Sequence, residues 1–329
     1  DAVQWTSRAV QQRPAIPILA AVRLAARDGE LELSSFDYEE SARSRVDAQV
    51  ESEGEALVSG RILSDIAKAL PDAEVHLELK DGSVHVRCGR ARFSLGTMPL
   101  EDYPPLPQMP EVQGAVDVRS FASAIGQVVV ATSRDDTLPL LTGVRVEVDG
   151  PQITLLATDR YRLAQRELLW NPRDVEFSTQ LLVKNRVLAD VARNLASGGD
   201  IELALSATGG GPRNATIGFS AGGRQATSSL MDGDYPPVRN LFPEATPLEY
   251  ACSRTELLER VALVVERRTP VHLTFGDGAL RLEARQAESA QAEESIALVS
   301  ESEELRTAFN PGYLQDGLAA LESEYVRFG

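Results

Sequence analysis

The chain has 329 residues, of which 43% are hydrophobic and 25% are charged, and this composition excludes a disordered or fibrous protein. Its length suffices for two or three domains, each with its own core. The formal net charge of −16 argues against nucleic acid as a partner of the surface as a whole, because a basic footprint is the usual sign of such a partner.

The cysteines, the histidines and the length of the apolar runs bear on the compartment, on metal binding and on membrane association. The two cysteines, Cys88 and Cys252, lie far apart without metal-ligand spacing, and the chain has three histidines. We therefore expect a reducing compartment, the cytoplasm, and no metal site. No apolar run reaches the roughly 18 residues of a membrane-spanning helix, so no membrane association is expected. The sequence begins at Asp1 on a predicted helix, and we expect a first strand or a leader before it.

The chain repeats itself, and the first repeated element is a pair of strands. The segment IPILAAVRLAARDGELELSSFDYEESA (16–42) aligns without a gap with LPLLTGVRVEVDGPQITLLATDRYRLA (138–164), at an offset of 122. A third copy, VHLTFGDGALRL (271–282), follows at an offset of 249. Each copy alternates apolar and polar residues around a glycine-containing turn, which predicts a β-hairpin.

The second repeated element is a short helix. Its copies are VSGRILSDIAKAL (58–70), VKNRVLADVARNL (183–195) and FNPGYLQDGLAAL (309–321). Positions i, i+3, i+4 and i+7 of each helix carry one stripe of mainly apolar residues, from Leu63, Leu188 and Leu314 onwards, which predicts packing on a sheet. The DYPP segments at 102–105 and 234–237 close the first two copies.

These repeats predict an α+β fold made of three similar domains, each with two helices packed on antiparallel sheets of about eight strands. We place the first domain at 1–111, with its first strand missing, and the second at 112–244. The third domain, 245–329, is expected to be incomplete at its C-terminus, because the chain stops where the other two copies continue to their DYPP segments.

Positive charge recurs on the second helix of the first two repeats. Arg61 and Lys68 are seven residues apart, opposite the apolar stripe, and Arg186 and Arg193 occupy the same two positions in repeat two. A solvated helix face is the plain interpretation. The alternative is a local basic lining, which would contact phosphates in spite of the acidic total.

Motifs of enzyme chemistry are not found in the sequence. It contains no GxSxG, HExxH, Walker A or GxGxxG segment. The glycines at 209–211 and 221–224 lie between alternating runs and predict hairpin turns. His76 and His85 lie in adjacent predicted strands without a convergent carboxylate or cysteine, and Asp37 and Asp159 recur by repeat position as predicted caps or turns. We expect no catalytic residue, no cofactor and no metal.

Four segments resemble a known family. ATDRYRLAQREL, LPLLTGVRVE, DYPPVRNLFP and FNPGYLQDGL are similar to characteristic segments of the bacterial DNA polymerase III beta subunit, the DNA sliding clamp, in the same order and in an actinobacterial-like form. The resemblance covers nearly the whole chain. It implies the DNA clamp fold and a head-to-tail homodimeric ring, whose helices line a hole around double-stranded DNA and give processivity without a catalytic site.

The resemblance also implies partners and their site. A hydrophobic pocket between the second and third domains is expected to bind short linear motifs of the replicative polymerase, the clamp loader and repair proteins. In LLATDRYRLAQREL (155–168), alternation by itself predicts one solvent-facing strand with Arg160 and Arg162 on the same side. The resemblance instead places this segment at the pocket, whose expected residues are Leu141, Thr158, Arg160, Tyr161, Arg162, Leu163, Pro236, Asn240 and Leu241.

Eight basic residues are expected to face the hole and to contact DNA without reading its sequence. Arg13 matches a DNA-contacting position of the family, and the others are assigned from helix-face geometry. The set comprises Arg8, Arg13, Arg61, Lys68, Arg134, Lys184, Arg186 and Arg193. Ring closure is expected between edge strands of the first domain of one subunit and the third domain of the next.

Two alternatives stay open at this point. The chain is either the main clamp or a duplicate clamp that confers insensitivity to a clamp-binding inhibitor, with differences at pocket positions. In a different class, it is a monomeric scaffold or hydrolase built from repeats that does not enclose DNA.

Overall fold

A computed structural model describes residues 1–10, 14–195, 199–205, 215–243, 245–264, 269–286, 290–300 and 302–329. The α-helices within these ranges are α1 (Ala2–Thr6), α2 (Gly60–Ala69), α3 (Val118–Val129), α4 (Asn185–Asn194), α5 (Arg254–Val264) and α6 (Pro311–Ala320). The strands before α3 are β1 (Ala21–Arg27), β2 (Glu30–Phe36), β3 (Glu40–Asp47), β4 (Gly54–Ser59), β5 (Val75–Lys80), β6 (Ser83–Cys88), β7 (Ala91–Met98) and β8 (Val112–Asp117).

The remaining strands follow α3. Those between α3 and α5 are β9 (Gly143–Asp149), β10 (Gln152–Thr158), β11 (Leu163–Leu169), β12 (Asn171–Pro172), β13 (Ser178–Lys184), β14 (Asp200–Leu205), β15 (Thr216–Ala221), β16 (Arg224–Ser229) and β17 (Tyr250–Ser253). The strands that follow α5 are β18 (Val271–Gly276), β19 (Ala279–Gln286), β20 (Ala290–Val299), β21 (Leu305–Phe309) and β22 (Tyr325–Phe328).

The chain divides into two compact units. The first comprises 1–125, 143–155 and 167–234, and it contains a twelve-stranded sheet in the order β12-β8-β14-β15-β16-β3-β2-β1-β4-β7-β6-β5. The second comprises 126–142, 156–166 and 235–329, and it contains a six-stranded sheet in the order β21-β18-β19-β20-β17-β22. A four-stranded sheet has the order β11-β10-β9-β13. The prediction of an α+β clamp fold with antiparallel sheets is confirmed.

The first repeated element is the predicted hairpin. In repeat one, β1 pairs antiparallel with β2 in the register Arg23↔Ser34, and in repeat three β18 pairs with β19 in the register Leu273↔Leu282. The turn of the first hairpin needs a left-handed residue at Gly29, which has a φ of 76°. Alternation around a glycine turn therefore predicted these strands correctly.

The second repeated element packs as predicted in two of its three copies. Leu63 and Ile66 of α2 are buried in a core with Val22 and Val58, and all four predicted stripe residues of α4, from Leu188 to Leu195, are buried. In α6 Leu314 and Leu318 are buried, whereas Gly317 and Leu321 are exposed. The stripe prediction is therefore too wide for α6, because Gly317 has no side chain to bury and Leu321 after the helix is extended, with a ψ of 145°. Leu195, which follows α4, keeps a helical backbone and is buried.

A tyrosine hydroxyl fixes the end of the second hairpin strand in repeats one and two. The Tyr103 hydroxyl accepts a 2.8 Å hydrogen bond from the backbone N–H of Phe36, and the Tyr235 hydroxyl accepts a 3.0 Å bond from that of Thr158. Both tyrosines belong to DYPP segments and are buried. These segments therefore hold the strand end, besides marking the end of each repeat.

The segment 155–168 is not one strand. Strand β10 ends at Thr158 and β11 begins at Leu163, while Arg160 between them has a φ of 79°. Residues 153–158 are all buried, so alternation does not divide the end of β10 into a core face and a solvent face. The prediction of a single alternating strand was wrong, because the Asp159 carboxylate accepts hydrogen bonds from the backbone N–H groups of Tyr161 and Arg162 and closes a turn.

The twelve-stranded sheet contains a joint between the first two repeats. Strand β16 pairs antiparallel with β3 in the register Ala226↔Ala42 and Gln225↔Arg43. The buried indole of Trp5 donates to both strands, at 3.0 Å to the Arg43 carbonyl and at 3.3 Å to that of Gln225. An edge strand of repeat two thus extends the sheet of repeat one.

The tyrosine anchor yields a prediction for stability. Tyr103→Phe leaves the backbone N–H of Phe36 without its acceptor, so we expect a loss of about 1–2 kcal/mol in the free energy of unfolding at pH 7, measured by urea denaturation. Burial raises the pKa of Tyr103 to about 12. Its contribution is therefore complete below pH 10 and lost as pH rises through 12, so wild type should lose more stability over that interval than Tyr103→Phe. Equal losses would contradict this role for the hydroxyl.

Candidate peptide pocket and basic helix faces

All nine predicted pocket residues lie in the second compact unit. Leu141 is buried in a short 3-10 helix over 139–142, and Thr158 is buried at the end of β10. The turn that follows carries the next three residues, Leu163 begins β11, and the segment after Tyr235 carries the last three. In chain order the set is Leu141, Thr158, Arg160, Tyr161, Arg162, Leu163, Pro236, Asn240 and Leu241.

Hydrogen bonds fix the turn and the two segments beside it. The Thr158 hydroxyl donates to the Arg162 carbonyl at 2.7 Å and accepts from the backbone N–H of Arg160 at 3.1 Å. The bond from Thr158 to Tyr235 holds the segment that contains Pro236 and Leu241 to the end of β10. The turn therefore has a rigid backbone, on which the arginine side chains are mounted.

Apolar side chains at this site differ in their exposure. Leu141 is buried, and its carbonyl accepts from the Ser133 backbone N–H at 2.8 Å. By contrast, Tyr161 and Leu241 are each 73% exposed, although both are large apolar residues.

Arg162 is held from three sides. Its Nε donates to Asp159 at 3.1 Å, its Nη1 donates to Asp316 at 2.8 Å, and its guanidinium lies 4.5 Å from the ring centroid of Tyr313. The Tyr161 ring stacks on Tyr313 with a centroid distance of 6.3 Å. The sequence prediction missed Tyr313 and Asp316, because they lie on α6 and only the tertiary structure brings them beside the turn.

Four predicted DNA-contacting residues are exposed in the first unit. Arg61 and Lys68 lie on α2, Arg193 lies on α4, and Arg8 follows α1. Partial burial lowers the pKa of Arg8, the positive charge of Arg193 lowers it further, and the Asp190 carboxylate opposes both effects. Arg193 also lies 4.0 Å from the Asp190 carboxylate, so this exposed cation has an acidic neighbour.

Lys184 and Arg186 already have carboxylate partners. Lys184 pairs with Glu39 and Arg186 pairs with Glu40, in the turn between β2 and β3. The hydrogen bond from Arg186 to Glu40 raises the pKa of that guanidinium. These two cations are thus engaged at the joint of repeats one and two, whereas the sequence placed them toward phosphates.

The remaining predictions concern Arg134, Arg13 and the two glycine segments. Arg134 is exposed after α3, whereas Arg13 and the glycines at 209–211 lie outside the described residues. Gly222 and Gly223 form the hairpin turn between β15 and β16, with φ values of 56° and 74°.

The two strand histidines are not cross-strand partners. His76 faces Arg87 and His85 faces Glu78 across the β5–β6 pair. In the described ranges, no group of three His, Cys, Asp or Glu side chains is placed to bind a metal ion. The described helices also include none with both the length and the apolar character needed to cross a membrane.

The fold, with similar α+β repeats built on antiparallel sheets, defines a class of protein, the DNA clamps. Sequence models of the DNA polymerase III beta subunit match the chain in its N-terminal domain (residues 1–107), central domain (115–237) and C-terminal domain (239–329). The chain belongs to the DNA polymerase III beta subunit family, the sliding clamps, and it has the sliding clamp role on DNA in replication.

Three relatives support this assignment. The beta sliding clamp of Micrococcus luteus is 48% identical over 90% of this chain and 95% of its own length. That of Streptomyces coelicolor is 47% identical over 98% of this chain and 86% of its own length. The beta sliding clamp homolog GriR of Streptomyces muensis is 41% identical over 100% and 87%, respectively.

Solved structures agree in fold. The sliding clamp of Bacillus subtilis has a TM-score of 0.89 at 26% identity, covering 99% of this chain and 88% of its own. A Pseudomonas aeruginosa sliding clamp bound to griselimycin has a TM-score of 0.88 at 26% identity, covering 99% and 89%.

The Glu39 and Glu40 ion pairs yield a prediction for DNA binding. Glu39→Gln with Glu40→Gln releases Lys184 and Arg186, so the slope of log affinity against log salt for a short duplex should steepen by up to about 2, at roughly 0.9 per phosphate contact. Fluorescence anisotropy over a salt series measures this slope. Glu51→Gln with Glu53→Gln is the control, because it makes the same charge change at exposed residues outside the joint. Equal slopes in both double variants would show that the two cations do not reach DNA.

Proposed function

We propose that the chain is a processivity factor without a catalytic site of its own, which acts in the cytoplasm. Two copies close head-to-tail around double-stranded DNA, and partner proteins bind the pocket at the end of β10 by short linear motifs. The partners are the replicative polymerase, the clamp loader and repair proteins. We further propose domain boundaries after residues 111 and 244. The observation that carries the proposal is the rigid turn at Thr158–Leu163, with buried Leu141 and exposed Leu241 in the same compact unit.

The pocket residues divide by chemistry. Leu141, Leu163 and Leu241 accept an apolar side chain of the partner, and Pro236 adds a surface without a backbone donor. The stems of Arg160 and Arg162 pack on that side chain while their heads hold its polar atoms, and Thr158, Tyr161 and Asn240 complete the proposed set. The family also includes a clamp solved with griselimycin, so ligand binding to this fold is established for a relative.

A small pocket on a rigid backbone gives affinity on the order of micromolar, as suits partners that exchange. Leu163→Asp with Leu241→Asp places charge where an apolar side chain is accepted. We expect it to abolish binding of an acetylated pentapeptide of the QLxLF type in calorimetry, with dimerisation unchanged. Leu169→Asp is the matched control, since Leu169 lies on the same strand as Leu163 and is 74% exposed. Wild-type affinity in the double variant would place the partner site elsewhere.

The two subunits are proposed to pair through edge strands in the same way that β16 pairs with β3 inside the chain. Strand β7 follows its hairpin turn as β16 does, since Cys88↔Ala91 closes one turn and Ala221↔Arg224 closes the other. In the described chain β4 pairs with β7 only at Thr97 and Met98, so the edge of 91–96 away from β6 has no strand beside it. Strand β20 likewise pairs with β17 only through Leu298 and Val299, and with β19 along 290–297.

The internal joint also supplies the register between subunits. Strand β20 pairs with β19 as β3 pairs with β2, so Glu293 takes the place of Arg43. Since Gln225 lies opposite Arg43, its counterpart Arg92 lies opposite the partner subunit's Glu293. Directly opposed residues of opposite charge stabilise an antiparallel pair, and the proposed edge is therefore selective for a head-to-tail partner.

This register yields a prediction for assembly. Arg92→Glu sets two like charges opposite each other at both interfaces of the ring, so the dimer should dissociate at least tenfold more readily. Adding Glu293→Arg restores opposite charges and should recover most of the affinity between subunits, as measured by sedimentation equilibrium. Arg90→Glu, in the turn before β7, is the control. A double variant no better than Arg92→Glu alone would reject the register, and a monomeric wild type at micromolar concentration would reject the ring.

Contacts with DNA are proposed from the basic faces. Arg8, Arg61, Lys68 and Arg193 are exposed and contribute directly, and Arg13 and Arg134 belong to the same set. Lys184 and Arg186 contribute when they exchange Glu39 and Glu40 for phosphates. Phosphate contacts carry no sequence information, which suits a ring that slides.

A duplicate clamp is the second candidate function, because the GriR homolog also matches the whole chain. Identity to the Micrococcus and Streptomyces coelicolor beta sliding clamps is higher, at 48% and 47% against 41%, and favours the main clamp. Calorimetry with griselimycin separates the two: binding supports a main clamp, and no binding supports an insensitive duplicate.

A further inference from the structure

Equivalent turns in repeats one and two make ion pairs of opposite polarity. In each turn an aspartate, Asp37 or Asp159, accepts hydrogen bonds from the backbone N–H groups two and three residues later. The third residue after that aspartate is Glu40 in repeat one, and it pairs with Arg186 of α4. In repeat two it is an arginine, and it pairs with an aspartate of α6.

Both pairs join a strand turn to the second helix of the following repeat, but at different helix positions, since Arg186 aligns with Gly312 and Asp316 aligns with Asp190. The first pair has its acid on the turn, and the second has its acid on the helix. Reversal matters because the turn of repeat two also belongs to the proposed pocket. The polarity of repeat one would need two changes here, a glutamate in place of Arg162 and a cation in place of Asp316.

Arg162 is more restrained than a surface arginine usually is. Its side chain is 17% exposed, and that of Asp159 is 12% exposed. Asp159 on the same turn accepts a hydrogen bond from Nε, and Asp316 on α6 accepts one from Nη1. The two carboxylates therefore bind different nitrogens of one guanidinium. The Tyr313 ring covers its face. The arginine stem is consequently fixed before any ligand arrives.

We propose that Asp316 is a positioning residue for the peptide pocket, which holds the Arg162 side chain in the orientation that a bound peptide needs. This inference rests on the proposed function of the pocket. Asp316 does not itself contact the peptide in this scheme. It removes the cost of ordering a long side chain on binding, and side chains that are ordered in advance strengthen affinity. Through Asp316, helix α6 of repeat three therefore raises the peptide affinity of a site on repeat two.

The test compares three variants of Asp316 in full-length dimeric protein. Asp316→Ala frees one end of Arg162, so affinity for the acetylated pentapeptide should fall about five- to tenfold. Asp316→Glu keeps the charge and should recover to within about threefold of wild type, while Asp316→Asn should lie between the two. Glu40→Ala is the matched control, because it removes the ion pair made by the corresponding turn of repeat one and should leave peptide affinity unchanged.

A reversed pair distinguishes positioning from a merely structural role. Arg162→Glu with Asp316→Arg puts the acid on the turn as in repeat one, so thermal stability should recover part of what Arg162→Glu alone loses, while peptide affinity stays low. Recovery of peptide affinity in this variant, or wild-type affinity in Asp316→Ala, would overturn the proposal. An equal loss in Glu40→Ala would overturn it too, since affinity would then follow general stability.

A different set of results would show that the proposed pocket itself is wrong. If the wild type and Leu163→Asp with Leu241→Asp bind the peptide alike, the pocket is not at this turn and the positioning role falls with it. If that double variant loses the peptide and Asp316→Ala does not, only the positioning role is wrong.

Discussion

The structure depends on how each repeat ends its second hairpin strand. A strand that stops inside the protein leaves backbone donors which must be satisfied, because a buried N–H without an acceptor costs about 1–3 kcal/mol. Here a tyrosine hydroxyl accepts from the last N–H of the strand, at Phe36 and again at Thr158, and an aspartate carboxylate accepts from the two donors of the turn. With its donors satisfied, the chain reverses sharply and carries three side chains on the turn.

What those three side chains do depends on the repeat. In repeat one the turn carries Glu39 and Glu40, which bind Lys184 and Arg186 and thereby join two repeats beside the β16–β3 pair. In repeat two the turn carries arginines and a 73% exposed tyrosine, and it meets Tyr313 and Asp316. One backbone device therefore serves a joint in the first case and, as we propose, a binding site in the second.

An acidic protein that binds DNA needs basic residues grouped on one surface, apart from its acidic residues. The formal charge is −16, yet Arg61, Lys68 and Arg193 share the exposed side of two equivalent helices, whose other side is buried. Because exposed charges are screened within about 8–10 Å at physiological salt, this local arrangement governs contact with phosphates more than the distant acidic excess does. The same screening makes such contacts weak and replaceable, which agrees with a clamp that must move along its substrate.

The sequence by itself determined the repeats, the hairpins and most apolar helix stripes, because these follow from periodicity within a dozen residues. Its four family-like segments also determined the family. It indicated a cap or turn at Asp159 but not the break of the strand at Arg160, because a left-handed residue interrupts the alternation there without a glycine to mark it.

Only the tertiary structure decided which charges meet. Lys184 and Arg186 lie on an apparently free helix end in sequence, and their partners Glu39 and Glu40 are about 145 residues away along the chain. Arg162 and Asp316 are separated by 154 residues. Ion pairs of this kind leave no local pattern, since each partner alone looks like an ordinary surface charge, and it is the packing of one repeat's helix against another repeat's turn that gives them their role.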